Sequence, residues 1–353
     1  MAYKVMRLRK YYDAIRSNQT FFKTSSKNRS KILFNIIKFL NNRGKIIINN
    51  KPVVAQIEPT SECNLDCEMC IREKIGVPIG SLSFEDFKKI LDKLDCLFKI
   101  HLSGQGEPFL NKEIFQMIEY ANNRGILINL SSNGTLLTNN IIDKICDTNI
   151  GEIAVSLDSV NKKNYEKIRK GAKFEKVLEN IRKLNLELKK RNKETILSLS
   201  IVIMKKNIKE LPEFISLANN LGVKKLIFQG LQEKQDYVEK YNPNAKQESV
   251  SELNHEIKEA VRNAKILAKN HGITIIFDEE KTFGCIWPWR SIYITWNGYV
   301  TPCCKILNYR KPCFGNILKE DFWKIWNGEN YQSYRKLLRE RKAPLACNGC
   351  NRV

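Results

Sequence analysis

The sequence is short of the features that mark membrane-spanning, secreted and disordered proteins. None of the apolar runs in its 353 residues approaches the roughly 20 residues that a membrane-spanning helix needs. Its first residues lack the apolar core and the small-residue cleavage site of a secretory signal peptide. A content of 42% hydrophobic and 28% charged residues is that of a folded globular chain. We therefore expect a cytoplasmic protein without a transmembrane segment.

Histidine is scarce too, with three copies in the chain. His101 falls in a predicted strand and is expected to be a core residue, while His255 and His271 are predicted on helix surfaces. None of them is a persuasive metal ligand. Cysteine, by contrast, occurs 11 times, and in a reducing compartment this favours metal ligands or buried thiols over disulfides. Cys96 and Cys146 stand alone among apolar residues, so we predict that they are inert core side chains.

Acidic residues are nearly missing from the beginning of the chain. Residues 1–51 contain thirteen lysines and arginines against a single acid, Asp13, so this segment supplies twelve of the 22 net positive charges. Such an excess favours an anionic partner at the basic N-terminus, whether nucleic acid, a lipid head group or an acidic protein. The alternative is that the lysines reflect only an AT-biased genome.

Strand-like and helix-like segments alternate through the middle of the chain. Six strands are predicted before residue 230, at residues 53–58, 99–103, 126–131, 152–157, 196–204 and 224–229. Amphipathic segments separate them, as in βα units around a parallel sheet. The pattern predicts an α/β fold, a partial (β/α)6 TIM-like barrel with a small C-terminal domain. Functional groups of such barrels lie at the C-terminal ends of the strands.

The first cysteine group comes soon after the first predicted strand. Cys63, Cys67 and Cys70 have the spacing C-x3-C-x2-C. Three thiolates on one tight loop can bind three irons of a [4Fe–4S] cluster and leave the fourth iron without a protein ligand. A catalytic cluster needs that open iron, because an exogenous ligand binds there. Zinc is the minor alternative, since it would require four protein ligands, commonly from two C-x2-C pairs.

This motif resembles that of the radical S-adenosylmethionine (radical SAM) superfamily, in which the residue before the third cysteine contacts the adenine. Met69 occupies that position. The resemblance implies that the cluster reduces the SAM sulfonium and that the 5′-deoxyadenosyl radical then abstracts a hydrogen atom from substrate. It also implies an electron donor such as a ferredoxin or a flavodoxin. The cofactors carry out the difficult chemistry, while the protein orients them and excludes water.

Gly104-Gln105-Gly106-Glu107-Pro108, after the second predicted strand, is similar to the GGEP element of that superfamily. The resemblance implies that the backbone at Gly106 and the carboxylate of Glu107 hold the SAM amino group. Gln105 stands where glycine is usual, so the element departs from the superfamily pattern at this position while Glu107 is kept.

Three more positions extend the resemblance over residues 53–230. Ser132 begins a Ser-Asn-Gly turn that would shape the SAM pocket. Ser156 matches a position that contacts the ribose. Arg169 matches an arginine that pairs with the SAM carboxylate, for which a guanidinium fork is well suited. The other interpretation of Arg169 is a solvated charge on a helix.

A second cysteine group occupies the C-terminal part of the sequence. Cys285, Cys303, Cys347 and Cys350 form the pattern C-x17-C…C-x2-C. Gly298 precedes Cys303 in a G-x4-C arrangement that resembles SPASM and twitch domains, which carry auxiliary iron–sulfur clusters. The resemblance implies one auxiliary [4Fe–4S] cluster with four cysteine ligands, because the further cysteines of a full SPASM domain do not follow. Cysteine number alone does not exclude a structural zinc.

Cys304 stands where sulfatase-maturing relatives carry an acid that takes the substrate proton. It is a candidate catalytic proton or hydrogen-atom donor, and a structural thiol is the alternative. Cys313 is expected to be a packing residue. The Trp287-Pro288-Trp289 group is predicted to plug a domain interface rather than to bind substrate.

The predicted organisation has four parts. They are a basic helical N-terminal extension over residues 1–52, a radical SAM core over 53–230, a connecting segment over 231–280 and a SPASM/twitch-like domain over 281–353. The leading functional hypothesis is hydrogen abstraction from a peptide or protein side chain, with oxidation assisted by the auxiliary cluster. A second is modification of a small molecule such as a sugar or aminocyclitol. A third, from another class, is a non-catalytic Fe–S or zinc protein that binds nucleic acid.

Overall fold

The computed structural model describes residues 19–231, 245–250, 255–277, 284–306, 308–310, 313–348 and 350. The first 18 residues of the predicted basic extension lie outside this range, as do residues 232–244, 251–254 and 278–280 of the predicted connection. Within the described range no helix is both long enough and apolar enough to cross a membrane.

The strands match the predicted alternation closely. They are β1 Val54–Ile57, β2 Asp66–Cys67, β3 Lys99–Leu102, β4 Leu127–Ser132, β5 Ile150–Ser156, β6 Arg169–Lys170, β7 Ile196–Ile203, β8 Lys225–Gly230, β9 Thr274–Phe277, β10 Ser291–Ile294 and β11 Val300–Thr301. In the described residues the main sheet has the order β11-β10-β1-β3-β4-β5-β7-β8-β9. All neighbours in it are parallel except β10 and β11. The predicted α/β class and its six-strand parallel core are therefore confirmed.

The helices alternate with these strands. They are α1 Gln19–Lys23, α2 Ser26–Asn42, α3 Phe84–Lys93, α4 Ile114–Asn123, α5 Asn139–Asp147, α6 Lys162–Ile168, α7 Phe174–Lys190, α8 Leu211–Asn220, α9 Ala245–Glu248, α10 His255–Asn270, α11 Trp287–Arg290, α12 Phe322–Trp326 and α13 Glu329–Arg339. Side-chain caps begin several of them: Ser83 accepts from Asp86 N, and Thr138 accepts from Ile141 N. Such caps satisfy backbone donors that would otherwise have no partner.

The two faces of the sheet differ in chemistry. One face is apolar and fully buried beneath the helices, with Ile57, Ile100 and Ile153 all at 0% exposure. The other face carries a row of polar side chains in register, because Gln56 pairs with His101, His101 with Asn129 and Asn129 with Glu152; these four residues form the polar row. Alternation along a strand places such residues on opposite sides. The concave face is therefore polar.

The sheet extends beyond the predicted core at both edges. β9, from the predicted connecting segment, pairs with β8, and β10, from the cysteine-rich region, pairs with β1. The C-terminal region also forms hydrogen bonds with the segment before β1. The indole N–H groups of Trp289 and Trp326 donate to the carbonyls of Lys45 and Asn50, respectively. Trp289 is buried at 4% exposure, as its predicted role at an interface requires. The C-terminal region thus packs along one edge of the barrel.

Candidate radical SAM site

The first cysteine loop is held by a small ladder at the C-terminal end of the sheet. β2 pairs antiparallel with β6, which places Cys67 opposite Arg169. Glu68 N donates to the carbonyl of Ile168 at 2.8 Å, and Cys70 N donates to the carbonyl of Cys67 at 2.9 Å. The backbone of the loop is therefore fixed by hydrogen bonds to a segment about 100 residues later.

The Gly104–Glu107 loop packs directly against the residues that lead into Cys63. A Cβ atom at Gly106 would lie 2.3 Å from the carbonyl oxygen of Glu62 and 2.5 Å from that of Thr60. Both obstacles are backbone atoms, so a larger residue could not be accommodated by a side-chain movement. Glu107 N donates to the same Glu62 carbonyl at 2.8 Å. The loop approach therefore requires glycine at position 106.

The Glu107 carboxylate joins the ends of β3 and β4. It is 2% exposed, and it accepts from Ser132 Oγ at 2.8 Å and from Asn133 N at 2.7 Å. Burial raises the pKa of Glu107 to about 7, against the lowering effect of these donors and of Phe109 N. The predicted SAM residues Glu107 and Ser132 are thus in direct contact.

Arg169 forms a buried ion pair with Asp158, and this contact was not predicted. Its Nε and Nη2 atoms both lie 2.7 Å from Asp158 Oδ2. The Asp158 carboxylate is in turn fixed by Val202 N, which donates to Oδ1 at 2.7 Å. Burial opposes the charge on Arg169, but Asp158 and then Cys67 outweigh it, so the pKa of Arg169 is raised. At 8% exposure Arg169 is not a solvated helix charge.

The thiols face donors that suit a cluster. Asn133 Nδ2 lies 4.0 Å from Cys63 Sγ, and Arg169 Nη1 lies 3.9 Å from Cys67 Sγ. Burial raises the pKa of the Cys63 thiol and raises that of Cys67 to about 11. Iron binds the thiolate form of cysteine, and hydrogen bonds to sulfur tune clusters of this kind. The three cysteines fit a cluster with one free iron.

Within the described residues no three Cys, His, Asp or Glu side chains converge on one point suited to a single metal ion. A [4Fe–4S] cluster does not require such convergence, because each cysteine binds a different iron. In the first cysteine loop Cys63 and Cys67 are half-buried and Cys70 is exposed.

Glu58 is a buried acid that sequence reasoning did not select. It is 1% exposed at the end of β1, and its Oε1 accepts from Gln105 N at 2.7 Å. The same carboxylate accepts from Tyr293 Oη and from Trp296 N, both at 3.3 Å. Burial raises the pKa of Glu58 to about 7. Glu58 therefore joins the Gly104–Glu107 loop to the C-terminal region.

The remaining predicted SAM contacts lie at the same end of the sheet. Met69 and Ser156 are half-buried, at the cysteine loop and at the end of β5. The structure brings the loop of Met69 beside Arg169, through the β2–β6 ladder. Their contacts with SAM stay predictions.

The second cysteine group lies on short elements around β11. Cys285, Cys303, Cys304, Cys347 and Cys350 are half-buried, while Cys313 is exposed. Lys305 N lies 3.2 Å from Cys303 Sγ, and Cys350 N donates to the Cys347 carbonyl at 2.9 Å. A backbone amide at a sulfur and a tight C-x2-C turn are the chemistry that an iron–sulfur site uses. The donor set therefore suits an auxiliary cluster.

Comparison with known families decides what these two regions are. The family model of the radical SAM superfamily matches residues 57–218, and that of SPASM, an iron–sulfur cluster-binding domain, matches residues 285–351. The chain contains a radical SAM domain followed by a SPASM domain. As a radical SAM protein with a SPASM domain, it uses SAM, a radical [4Fe–4S] cluster and auxiliary Fe–S chemistry.

Two relatives match this chain along most of their own length. The chain is 28% identical over 328 residues to the AdoMet-dependent heme synthase of Methanosarcina barkeri, covering 86% of this chain and 90% of that protein. It is 26% identical to the tungsten-containing aldehyde ferredoxin oxidoreductase cofactor-modifying protein of Pyrococcus furiosus, covering 84% and 86%.

A solved structure with a similar fold is that of Streptococcus suis SuiB bound to S-adenosylmethionine. The TM-score is 0.67 at 15% identity, over 86% of this chain and 72% of SuiB. At that identity the likeness shows the fold alone, and it agrees with the partial barrel found here.

Proposed function

We propose that this radical SAM protein abstracts a hydrogen atom from a peptide or protein side chain and that its C-terminal region assists oxidation of the product radical. The observation that carries this proposal is the polar, open concave wall beside the cysteine loop. The sheet is not closed in the described residues, since β9 and β11 are its two edges. An open wall can receive an extended chain as well as a compact ligand.

The wall consists of polar side chains near the C-terminal strand ends. Ser103, Ser156 and Ser200 are half-buried, while Ser131 and Gln229 are exposed. They occupy the face opposite the buried apolar residues. A polypeptide presents amides along its whole length, and hydroxyl and amide side chains can pair with them. The wall therefore favours a polar substrate with many hydrogen-bonding groups.

We assign the cofactor contacts to the residues that the site gathers. Cys63, Cys67 and Cys70 hold the radical cluster, while Met69, Gly106, Glu107, Ser132, Ser156 and Arg169 form the SAM pocket. Bound there, the cluster and SAM supply the electron and the 5′-deoxyadenosyl radical for hydrogen abstraction. The protein's part is positional: Asp158 orients Arg169, and Ser132 orients Glu107. A ferredoxin or a flavodoxin is the proposed electron donor.

For the second region we propose that Cys285, Cys303, Cys347 and Cys350 hold one auxiliary [4Fe–4S] cluster. Such a cluster would accept the electron that remains after hydrogen abstraction. The proposed domain boundaries are 53–230 for the radical SAM core and 281–353 for the auxiliary domain, with β9 and β10 adding to the core sheet. Cys304 adjoins Cys303 and is proposed as a proton or hydrogen-atom donor, with a structural role as the alternative.

Relatives of known activity support a peptide substrate in part. A solved structure shows SuiB with its precursor peptide SuiA, with a TM-score of 0.65. Other relatives are the mycofactocin maturase of Mycolicibacterium smegmatis and the subtilosin biosynthesis protein of Bacillus subtilis. The former overlaps only 48% of this chain.

A small-molecule substrate is the second candidate, because relatives whose names indicate small-molecule chemistry match over a greater length. The match spans 90% of the heme synthase and 83% of the probable GTP 3′,8-cyclase of Methanocaldococcus jannaschii. The same polar wall would bind a nucleotide or a sugar.

Substrate labelling separates the two candidates. Anaerobically reconstituted protein would be incubated with SAM, a reductant and extract from cells grown in deuterated medium, and deuterium in 5′-deoxyadenosine would be measured by mass spectrometry. A peptide or protein substrate predicts transfer from the macromolecular fraction and its loss after prior protease digestion. Transfer from the low-mass filtrate, unaffected by protease, would contradict the peptide proposal and support the small-molecule one. Heat-treated protein is the control.

A further inference from the structure

Helix α2 is apolar on two faces, and only one of them packs against the barrel. Ile32, Ile36 and Phe39 are 2–4% exposed in the core. On the other side Leu33 is 40% exposed, Phe34 59% and Ile37 53%. Large exposed apolar side chains that lie together mark an interaction surface, whereas apolar side chains scattered singly over a surface are ordinary.

Helix α1 adds to this surface. Phe22 is 55% exposed, and its carbonyl accepts from Arg29 Nη1 at 2.8 Å. Arg29 also binds the carbonyl of Thr24 at 2.8 Å, so α1 is fixed beside the first turns of α2. We name the set of Phe22, Leu33, Phe34 and Ile37 the α1–α2 face.

The segment that carries the α1–α2 face is strongly basic. Residues 19–51 contain eight basic side chains and no acid. Lys23 and Lys27 are exposed, and Lys38 Nζ lies 4.6 Å from the centre of the Phe34 ring. Two acids approach from another part of the chain: Asp95 binds Lys31 and Lys51 at 3.0 and 2.7 Å, and Asp92, which pairs with Arg124, lines the same pocket as Lys31. The surface combines apolar bulk with positive charge.

The α1–α2 face lies at the end of the barrel away from the cysteine loop. Asn35 Nδ2 donates to the carbonyl of Lys51, just before β1, at 3.0 Å. Thr24 lies against Gly125, just before β4. These contacts are at the N-terminal ends of the strands, whereas the cysteine loop follows the C-terminal end of β1. A partner bound here would leave the radical SAM site open.

We propose that the α1–α2 face docks this protein on an anionic lipid bilayer. Aromatic and aliphatic side chains insert at the boundary between head groups and acyl chains, while lysines bind the anionic head groups. Nucleic acid would use the lysines but would leave Leu33 and Ile37 without a role. An acidic electron donor would have to bind near the radical cluster, and this face lies at the opposite end.

Vesicle flotation with the full-length reconstituted protein tests the proposal. The probes are vesicles of phosphatidylcholine alone and vesicles containing about 30% phosphatidylglycerol, at low and physiological salt. We expect the protein to bind the anionic vesicles at least about tenfold more tightly than the phosphatidylcholine vesicles. We also expect binding to the anionic vesicles to weaken as the salt concentration rises. Leu33→Ser combined with Phe34→Ser and Ile37→Ser should weaken it about tenfold or more. Lys23→Glu combined with Lys27→Glu and Lys38→Glu should weaken it by about a hundredfold.

Matched controls lie on α7. Leu186 is 65% exposed, so Leu186→Ser removes a similar apolar side chain, and Lys176→Glu reverses an exposed charge. Both controls should bind vesicles like the unmodified protein, and all variants should retain SAM cleavage in solution. Equal binding to neutral and anionic vesicles, or unchanged binding in both triple variants, would overturn the proposal. The proposal would also be overturned if the triple variants kept their vesicle binding and instead changed from dimer to monomer or lost RNA binding.

Discussion

The radical SAM core and the C-terminal iron–sulfur region hold their cysteines in different ways. In the core, the cysteine loop is anchored by backbone pairing of β2 with β6 and by the Gly104–Glu107 loop packed beneath it. In the C-terminal region, Cys303 and Cys304 follow the two-residue strand β11, and Cys347 ends a 3-10 helix at Leu345–Cys347. The first site is therefore tied by backbone pairing to a distant segment of the chain, whereas the second stands on short separate elements.

This difference indicates how far the structure of each site depends on bound metal. The core has buried ion pairs and carboxylates that set the loop before any cofactor binds, such as Asp158 with Arg169. The C-terminal ligands come from separate short pieces, and bound metal contributes folding energy to sites of that kind. Loss of the core cluster should therefore affect chemistry, while loss of the auxiliary cluster should also affect structure.

The largest effect is expected when the core thiols are removed. Cys63→Ala combined with Cys67→Ala and Cys70→Ala should abolish formation of 5′-deoxyadenosine and lower iron from about eight to about four atoms per chain. Circular dichroism should change little, because the β2–β6 ladder uses backbone groups. Iron and zinc analysis of the unmodified protein checks the second site, and four irons with one zinc would refute the auxiliary cluster.

Removing the thiols of Cys347 and Cys350 should disrupt the second site, that of the C-terminal region. Cys347→Ala with Cys350→Ala should still cleave SAM but give no oxidised product, and limited proteolysis should cut the C-terminal region faster. Cys313→Ser, which alters an exposed thiol of the same region, is the matched control and should behave normally. Normal product yield from the folded double variant would show that the cluster is not the electron acceptor.

A smaller effect is expected at the buried ion pair. Arg169→Ala should weaken SAM binding by about ten- to a hundredfold, since a lost charge-assisted contact costs about 1.5–3 kcal/mol. Asp158→Asn should weaken it less, because the guanidinium remains but is no longer held by a charge. Iron content should stay constant in both. Calorimetry of SAM binding measures this, and an unchanged affinity in Arg169→Ala would show that the SAM carboxylate binds elsewhere.

The smallest effect concerns the protonation of Glu107. Its pKa of about 7 is raised by burial, and only the ionised carboxylate can pair with an ammonium group. SAM affinity should therefore increase by up to about fivefold between pH 6 and 7, below the α-amino pKa of about 7.7–8.0. Glu107→Gln should bind more weakly and show little pH dependence over this range. Equal pH dependence in both proteins would assign the titration to another group.

Local sequence signals predicted most of the elements and the central motif. Ser83 and Thr138 cap α3 and α5, and both are residue types that favour the start of a helix. The alternation of buried residues gave the six core strands within a few residues, because a strand or an amphipathic helix is encoded over a short window. Cys63, Cys67 and Cys70 were recognisable for the same reason, since a cluster loop needs its ligands close together in sequence.

The long-range contacts of the site were decided by tertiary structure. In Ser156-Leu157-Asp158 the sequence favoured Ser156 as a SAM contact, yet Asp158 is the residue that holds Arg169. Nothing near Glu58 in sequence indicates that its carboxylate meets Gln105, Tyr293 and Trp296.

What the sequence by itself determined was the kind of chemistry, through three thiols on eight residues and a second group of four. What only the tertiary structure decided was which buried charges support that chemistry, and that β9 and β10 complete the core sheet from outside it. The physical reason is distance along the chain. Periodicity, caps and ligand spacing act between near neighbours, whereas a buried carboxylate is stable only beside donors that the whole fold delivers.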